Sequence, residues 1–246
     1  YSNTVPASLY AGITMVTMIL CSYYKVWFPT ACKWIFITAV CVHAVHILVF
    51  LCRNVFKGVN LDTFVPSWFV TFNGIMVSLV AGPDMLPSAM AKAVLYWGLF
   101  IYTVTIPFMV WRLITREVKP GMLHTQAIVL APCSLCLVSY LNIVKEPVRA
   151  VVMILYVCVI LSLLFILVKL PRFFSVPFAP GFAGLTFPMA IGVVASTKAG
   201  SYLAGIGNEV LAYGVKQVAG IQIYVTTAII GMVLFGFMKM LAGKKA

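Results

Sequence analysis

The sequence predicts an all-α polytopic membrane protein. Three observations carry that reading. Of the 246 residues, 63% are hydrophobic and only 9% are charged, with a mean hydropathy of +1.08; a water-soluble domain has no use for so much apolar surface. Apolar stretches long enough to cross a bilayer as helices, about 20 residues each, recur along the whole chain. The five carboxylates (Asp62, Asp84, Glu117, Glu146 and Glu209) all fall between those stretches and never near the middle of one.

Eight spans follow from length and hydropathy, at approximately 5–23, 34–52, 65–82, 93–111, 122–141, 150–168, 178–197 and 221–238. The whole chain, 1–246, reads as a single transmembrane domain. Most links are short, so neighbouring spans should pack as antiparallel hairpins. One link, 198–220, is longer and is expected to hold a short helix lying at the membrane interface. The chain does not begin with Met and enters an apolar span almost at once, without a signal peptide. A segment upstream is therefore expected to be missing.

The odd-numbered spans start near 5, 65, 122 and 178, a period of 60, 57 and 56 residues. They concentrate the small, polar and helix-breaking residues. The first has Pro6, Ser8, Gly12 and Thr14; the third has Pro66, Ser67, Thr71, Asn73 and Gly74. The fifth has Thr125, Gln126, Pro132 and Ser134. The seventh, FAPGFAGLTFPMAIGVVAST, has Pro180, Gly181, Gly184, Thr186, Pro188 and Gly192. A proline inside a helix removes a backbone bond and bends it. Irregular backbone at membrane depth is tolerated only where protein or a wet cavity meets the freed groups. Even-numbered spans are bulkier and more uniformly apolar. The pattern predicts hairpins in two layers, with the odd helices lining a path and the even helices facing lipid.

Seventeen Lys and Arg oppose five acids, a net charge of +12. The basic residues lie in ones and twos between spans, which fits topology and headgroup contact and disfavours nucleic acid. Ten of them, including Arg112, Lys244 and Lys245, fall on the side of the termini and seven on the other. The excess predicts cytoplasmic termini.

Other candidate chemistry is sparse. Seven cysteines, Cys133 and Cys136 among them as a CxxC pair, sit mostly in apolar runs and read as small buried hydrophobes. His43 and His46 lie one turn apart and could offer two metal ligands, but no carboxylate or thiol partner is evident. Hydrogen-bonded core histidines are the simpler reading, and His124 is expected at the interface. The absence of carboxylates inside the spans counts against cation transport, proton coupling and an intramembrane hydrolase. A membrane enzyme or redox protein using the histidines or the CxxC pair is the weakest alternative, and no cofactor is implied. What is left is a neutral path with basic rims, suited to anions. Phe187, beside Pro188, is either a plug for that path or an ordinary core aromatic; the residues alone leave both open.

The stretch PFAPGFAGLTFPMAIGVVAST from Pro177, with its TFP tripeptide, resembles the tellurite-resistance/dicarboxylate transporter family, which includes the plant guard-cell slow anion channel and malate and sulfite transporters. VPSWFVTFNGIMVSLVAG from Val65, IPFMVWRLI and QAIVLAPCSLC from Gln126 support the resemblance over essentially the whole chain. The resemblance implies ten helices in five hairpins, a pseudo-fivefold ring around a central pore, and a homotrimer. It implies that Phe187 is the pore gate, and that Pro66, Pro132 and Pro188 kink inner helices. Phe72, Asn73 and Thr186 join these as pore-lining candidates. The eight spans correspond to the family's third to tenth helices, so the first hairpin is absent from this sequence. The first inner span has Tyr10, Ala11 and Gly12 where relatives often have a proline, so its bend should depend on Gly12.

These readings predict a channel or exporter for small inorganic or organic anions. It should lie in the plasma membrane (the inner membrane of a bacterium), in contact with the lipid bilayer. The alternative on the same scaffold is a proton-coupled dicarboxylate (malate-type) or sulfite carrier.

Overall fold

The computed structural model describes residues 3–243; Lys244 and Lys245, counted above toward the orientation, lie outside them. Every regular element among the described residues is a helix. The α-helices are α1 (Thr4–Leu9), α2 (Ala11–Tyr24), α3 (Pro29–Asn54), α4 (Trp68–Phe72), α5 (Val77–Ala81), α6 (Ser88–Thr115), α7 (Leu130–Ile143), α8 (Arg149–Phe173), α9 (Thr186–Gly205) and α10 (Glu209–Leu241). Short 3-10 stretches fill Gly74–Met76, Pro83–Met85, Pro120–Val129 and Pro180–Leu185.

Among the described residues, seven segments are long and apolar enough to cross a membrane: Thr4–Tyr24, Pro29–Asn54, Ser88–Thr115, Pro120–Ile143, Arg149–Phe173, Pro180–Gly205 and Glu209–Leu241. The remaining expected span, the third (65–82), is not one helix. Asn73 and Gly74 interrupt it, and α4 and α5 stand on either side of the Gly74–Met76 turn. Hydropathy sees its apolar length but not the break.

Two further expectations change. The segment 198–220 holds no separate interfacial helix. Helix α9 continues to Gly205, the chain turns at Ile206–Asn208 with Gly207 at φ +76°, and α10 begins at Glu209. Only glycine takes that φ without strain. Asn208 caps α10 by accepting from the Leu211 amide at 3.3 Å, and Glu209 adds negative charge to the first turn. At 33 residues, α10 is about 50 Å long, against a hydrocarbon core of about 30 Å, so the charged turns belong to overhanging helix ends.

The prolines also sit elsewhere than expected. Pro132 and Pro188 are the third residues of α7 and α9, in the first turn, where amide hydrogens have no intrahelical partner anyway. The winding changes from 3-10 to α just before each of them. The prolines inside long helices are Pro107 of α6, on an exposed face of a span expected to be smooth, and Pro171 in the last turn of α8. The first span breaks at Tyr10, between α1 and α2, and Gly12 has open space around it.

The described chain forms two compact units. The first comprises residues up to Glu117 with Val138–Glu146; the second comprises Val118–Leu137 with the residues from Pro147 onward. In the first, α2 and α3 form a hairpin, α1 lies against α4, and α2 against α5. Its core is aromatic: Phe50 meets Trp68 and Phe72 edge-on with ring centres 5.1 and 5.6 Å apart, and Phe64 meets Trp68 at 4.9 Å. Edge-to-face geometry adds to the area buried by such rings. In the second, α9 and α10 form a long hairpin, α8 packs on α9, and the two longer 3-10 stretches lie side by side.

The two-layer expectation holds unevenly. The 3-10/α7 span is 83% buried along its most apolar window, and 64–79 is buried at every position except the half-buried Val70, whereas the corresponding figure for α10 is 28%. The first and seventh spans, at 39% and 44%, are close to the 39% of α3, α6 and α8. These two odd helices keep an exposed apolar flank, such as Ile13 and Val16 on α2.

Candidate functional site

The broken third span interrupts its helical winding at Asn73–Met76, and from Phe64 to Leu79 only Val70 is not buried. Its carbonyls are met by side chains from neighbouring helices. His43 Nε2 of α3 donates to the Thr71 carbonyl at 2.9 Å, and Trp97 Nε1 of α6 donates to that of Phe72 at 2.9 Å. Asn142 Nδ2 donates to the Leu79 carbonyl at 2.9 Å, and Ser139 Oγ to that of Met76 at 3.5 Å. In return Asn73 Nδ2 donates to the Gly98 carbonyl of α6 at 3.0 Å. This is how irregular backbone survives in a low-dielectric interior. The break at Tyr10 is tied to it: Thr71 Oγ1 donates to the Ser8 carbonyl at 2.9 Å, and Ser8 Oγ to Ser67 Oγ at 2.8 Å.

Of the candidate residues in this unit, Pro66 is buried just before α4 and Asn73 anchors the break to α6. Phe72 lies in the aromatic core, edge-on to Phe50. His43 and His46 have the hydrogen-bonded role of core histidines: His43 Nδ1 is 2.7 Å from Thr14 Oγ1, and His46 Nε2 is 3.4 Å from Thr71 Oγ1. No group of three potential metal ligands comes together among the described residues. Trp97, Ser139 and Asn142 were not singled out from the sequence. Polar residues set about one repeat apart, as Ser8 and Ser67 are, would have been the signal.

In the second unit, two 3-10 stretches lead into α7 and α9. His124 joins them: its ring stacks on Phe182 with centres 3.9 Å apart, and its Nε2 donates to the Phe173 carbonyl at 3.0 Å. It is buried, covered by the end of α8. Gly192 of α9 accepts the side chain of Leu130 where a Cβ would stand 2.9 Å from its Cδ2. Pro132 and Pro188 are buried. Thr186 is half-buried, with Oγ1 donating to the Ala183 carbonyl at 2.8 Å. Phe187 is the second residue of α9 and is half-buried. Among the described residues no aromatic ring stacks on it, whereas Phe178 and Phe182 stack on each other with centres 4.9 Å apart.

The charges are less free than a bare basic rim would be. Lys25 Nζ pairs with Asp84 at 2.7 Å and Arg116 with Asp62 at 3.3 Å, both exposed. The Lys25 hydrogen bond holds the Asp84 carboxyl below its ordinary value. Arg112, counted among the flanking cations, is buried. Its guanidinium donates to the carbonyls of Leu61, Arg116 and Glu117 at 3.2 to 3.5 Å, so it caps the end of α6 and pins the loop between α3 and α4.

The sequence model of the family described as Voltage-dependent anion channel (SLAC1) matches residues 1–241, nearly the whole chain. The chain belongs to that family. As a voltage-dependent anion channel family member it is a multi-pass helical membrane protein for anion transport, with the bilayer as its surroundings and anions as its substrates. The family is one of channels and transporters, not of enzymes. No curated protein matches the chain.

Proposed function

We propose that this family member passes small anions along a neutral path closed by the ring of Phe187. One observation carries the proposal. Phe187 stands where 3-10 winding becomes α-helix, half-buried and unstacked, while the nearby phenylalanines are held by other rings. A half-buried ring that no other ring holds can change rotamer at lower cost than a stacked one, and rotamer changes are fast. The absence of Asp and Glu inside the spans suits an anion, which a carboxylate would repel. Phe72, Asn73, Thr186 and the residues around Pro66, Pro132 and Pro188 are proposed to line or shape the path. A homotrimer, a plasma-membrane location and cytoplasmic termini complete the proposal; the first comes from the family resemblance and the last from the ten-to-seven charge bias. The test is anion current through Phe187→Ala in a bilayer. Conductance should rise, and an unchanged current from a folded protein would remove Phe187 from the gate.

The alternative is a proton-coupled dicarboxylate or sulfite carrier on the same scaffold. It predicts uphill substrate movement driven by a pH gradient. A channel instead gives a reversal potential that follows the anion gradient alone.

A further inference from the structure

Tyr156 of α8, Ser196 of α9 and Gln222 of α10 are three polar side chains of the second unit, 7%, 0% and 3% exposed. Among the described residues, the Tyr156 hydroxyl, the Ser196 hydroxyl and both atoms of the Gln222 amide have no hydrogen-bond partner. Tyr156 and Ser196 face each other without reaching hydrogen-bond geometry. The register of the α9–α10 hairpin brings Gln222 to the same depth. Thr226 Oγ1 lies 3.4 Å from the Met189 carbonyl, and Gly200 faces Val215 and Lys216. One turn back from Thr226 is Gln222; one turn on from Met189 is Val193, less than a turn from Ser196.

Polar groups buried this deeply are nearly always paired with protein or with ordered water. The chemistry of these groups limits what can pair with them. The two hydroxyls and the amide NH2 offer donors, while Gln222 Oε1 only accepts. A halide only accepts and leaves Oε1 unmet. A bare cation leaves the donors unmet. A partner that both donates and accepts satisfies all four atoms.

We infer that Tyr156, Ser196 and Gln222 form a buried water-binding site within the α8–α9–α10 layer. A buried water typically makes about three hydrogen bonds to otherwise unsatisfied groups, so the four atoms and the water's own hydrogens make a closed set. The site stands independently of any role for Phe187.

Radiolytic hydroxyl-radical footprinting of the full chain in lipid nanodiscs tests it, because radicals formed from a bound water modify the side chains that hold it. Tyr102 and Tyr140 are buried to the same degree, 5% and 8% exposed, and serve as internal controls. Tyr156 should be modified several-fold faster than either. The excess should fall in Gln222→Met, and also in Ser196→Ala, which covers failure of the first variant to fold. Equal rates for the three tyrosines in the wild type would overturn the site. So would suppression of the Tyr156 excess by raised chloride, which would mark an anion in place of water.

Discussion

His43 Nε2 lies 2.9 Å from the carbonyl oxygen of Thr71, in the last turn of α4. A helix end leaves carbonyls without in-helix donors, and this end is buried. A carbonyl only accepts, so Nε2 carries a hydrogen. The other ring nitrogen, 2.7 Å from Thr14 Oγ1, ties the same histidine to α2. One ring of α3 thus holds two interrupted spans. His43→Ala would leave the Thr71 carbonyl unmet, at about 1–3 kcal/mol for a buried acceptor without a partner. Thermal unfolding in detergent micelles should show a lower midpoint for His43→Ala and a smaller loss for His43→Gln, which keeps a donor. An alanine variant as stable as the wild type would refute the bracing role.

The close approach of α6 to the broken span depends on Gly98. A Cβ built there would collide with the Met76 side chain, and Met76 is fully buried. Gly98→Ala therefore overpacks the contact, with an expected loss of about 1–3 kcal/mol. It also presses on the Gly98 carbonyl that accepts from Asn73. Methionine is flexible, so the strain should be relieved by trimming it. Met76→Ala combined with Gly98→Ala should lose less than the two single losses added together. Strict additivity would mean that the two side chains do not meet.

How much of this was legible beforehand depends on range. The membrane class and seven of the eight spans were readable because hydropathy is a local property. The inward character of the third and fifth spans was readable because small and polar residues cannot profitably face lipid. The break at Asn73–Gly74 was not, since whether such a pair interrupts a helix depends on donors elsewhere, and Trp97, Ser139 and Asn142 are 25, 63 and 63 residues from the carbonyls they meet. The reading of 198–220 as a link failed for a different reason. Lys198, Glu209 and Lys216 look like a membrane boundary, and a helix can pass through that boundary without ending. Phe187 stood out in sequence through its proline and glycine neighbours; its lack of a stacking partner is visible only in three dimensions.

Asp84 and Lys25 make a pH prediction with a definite sign. The Lys25 hydrogen bond lowers the Asp84 pKa in the folded protein. A depressed carboxylate contributes stability above its unfolded pKa, about 3.9. That contribution is lost as pH falls through the folded value. From neutral pH down to about 5 the pair should therefore hold. Both side chains are exposed, 35% and 65%, so solvent screening keeps the effect small. Asp84→Asn should lower the unfolding midpoint slightly at neutral pH and low salt, and the difference should vanish in high salt and at strongly acid pH. A difference that grows on acidification would reverse the sign and reject the pairing as its cause.

A side-chain plug makes a graded prediction that a packing residue does not. If the Phe187 ring fills the path, conductance should follow the volume removed: Phe187→Ala above Phe187→Leu, Phe187→Leu above the wild type, and Phe187→Trp below it. The ring is half-buried at the start of α9, so shortening it removes only part of a core contact. The stability cost should stay below the about 3–5 kcal/mol of a fully buried Phe→Ala change. A core aromatic behaves the opposite way: truncation destabilises strongly and current falls with the amount of folded protein. Single-channel recording separates the two, because it reads conductance per molecule regardless of yield. Unit conductance that is the same across Ala, Leu and Phe, together with a large drop in unfolding temperature for Ala, would return Phe187 to the core and leave the closure of the path to another residue.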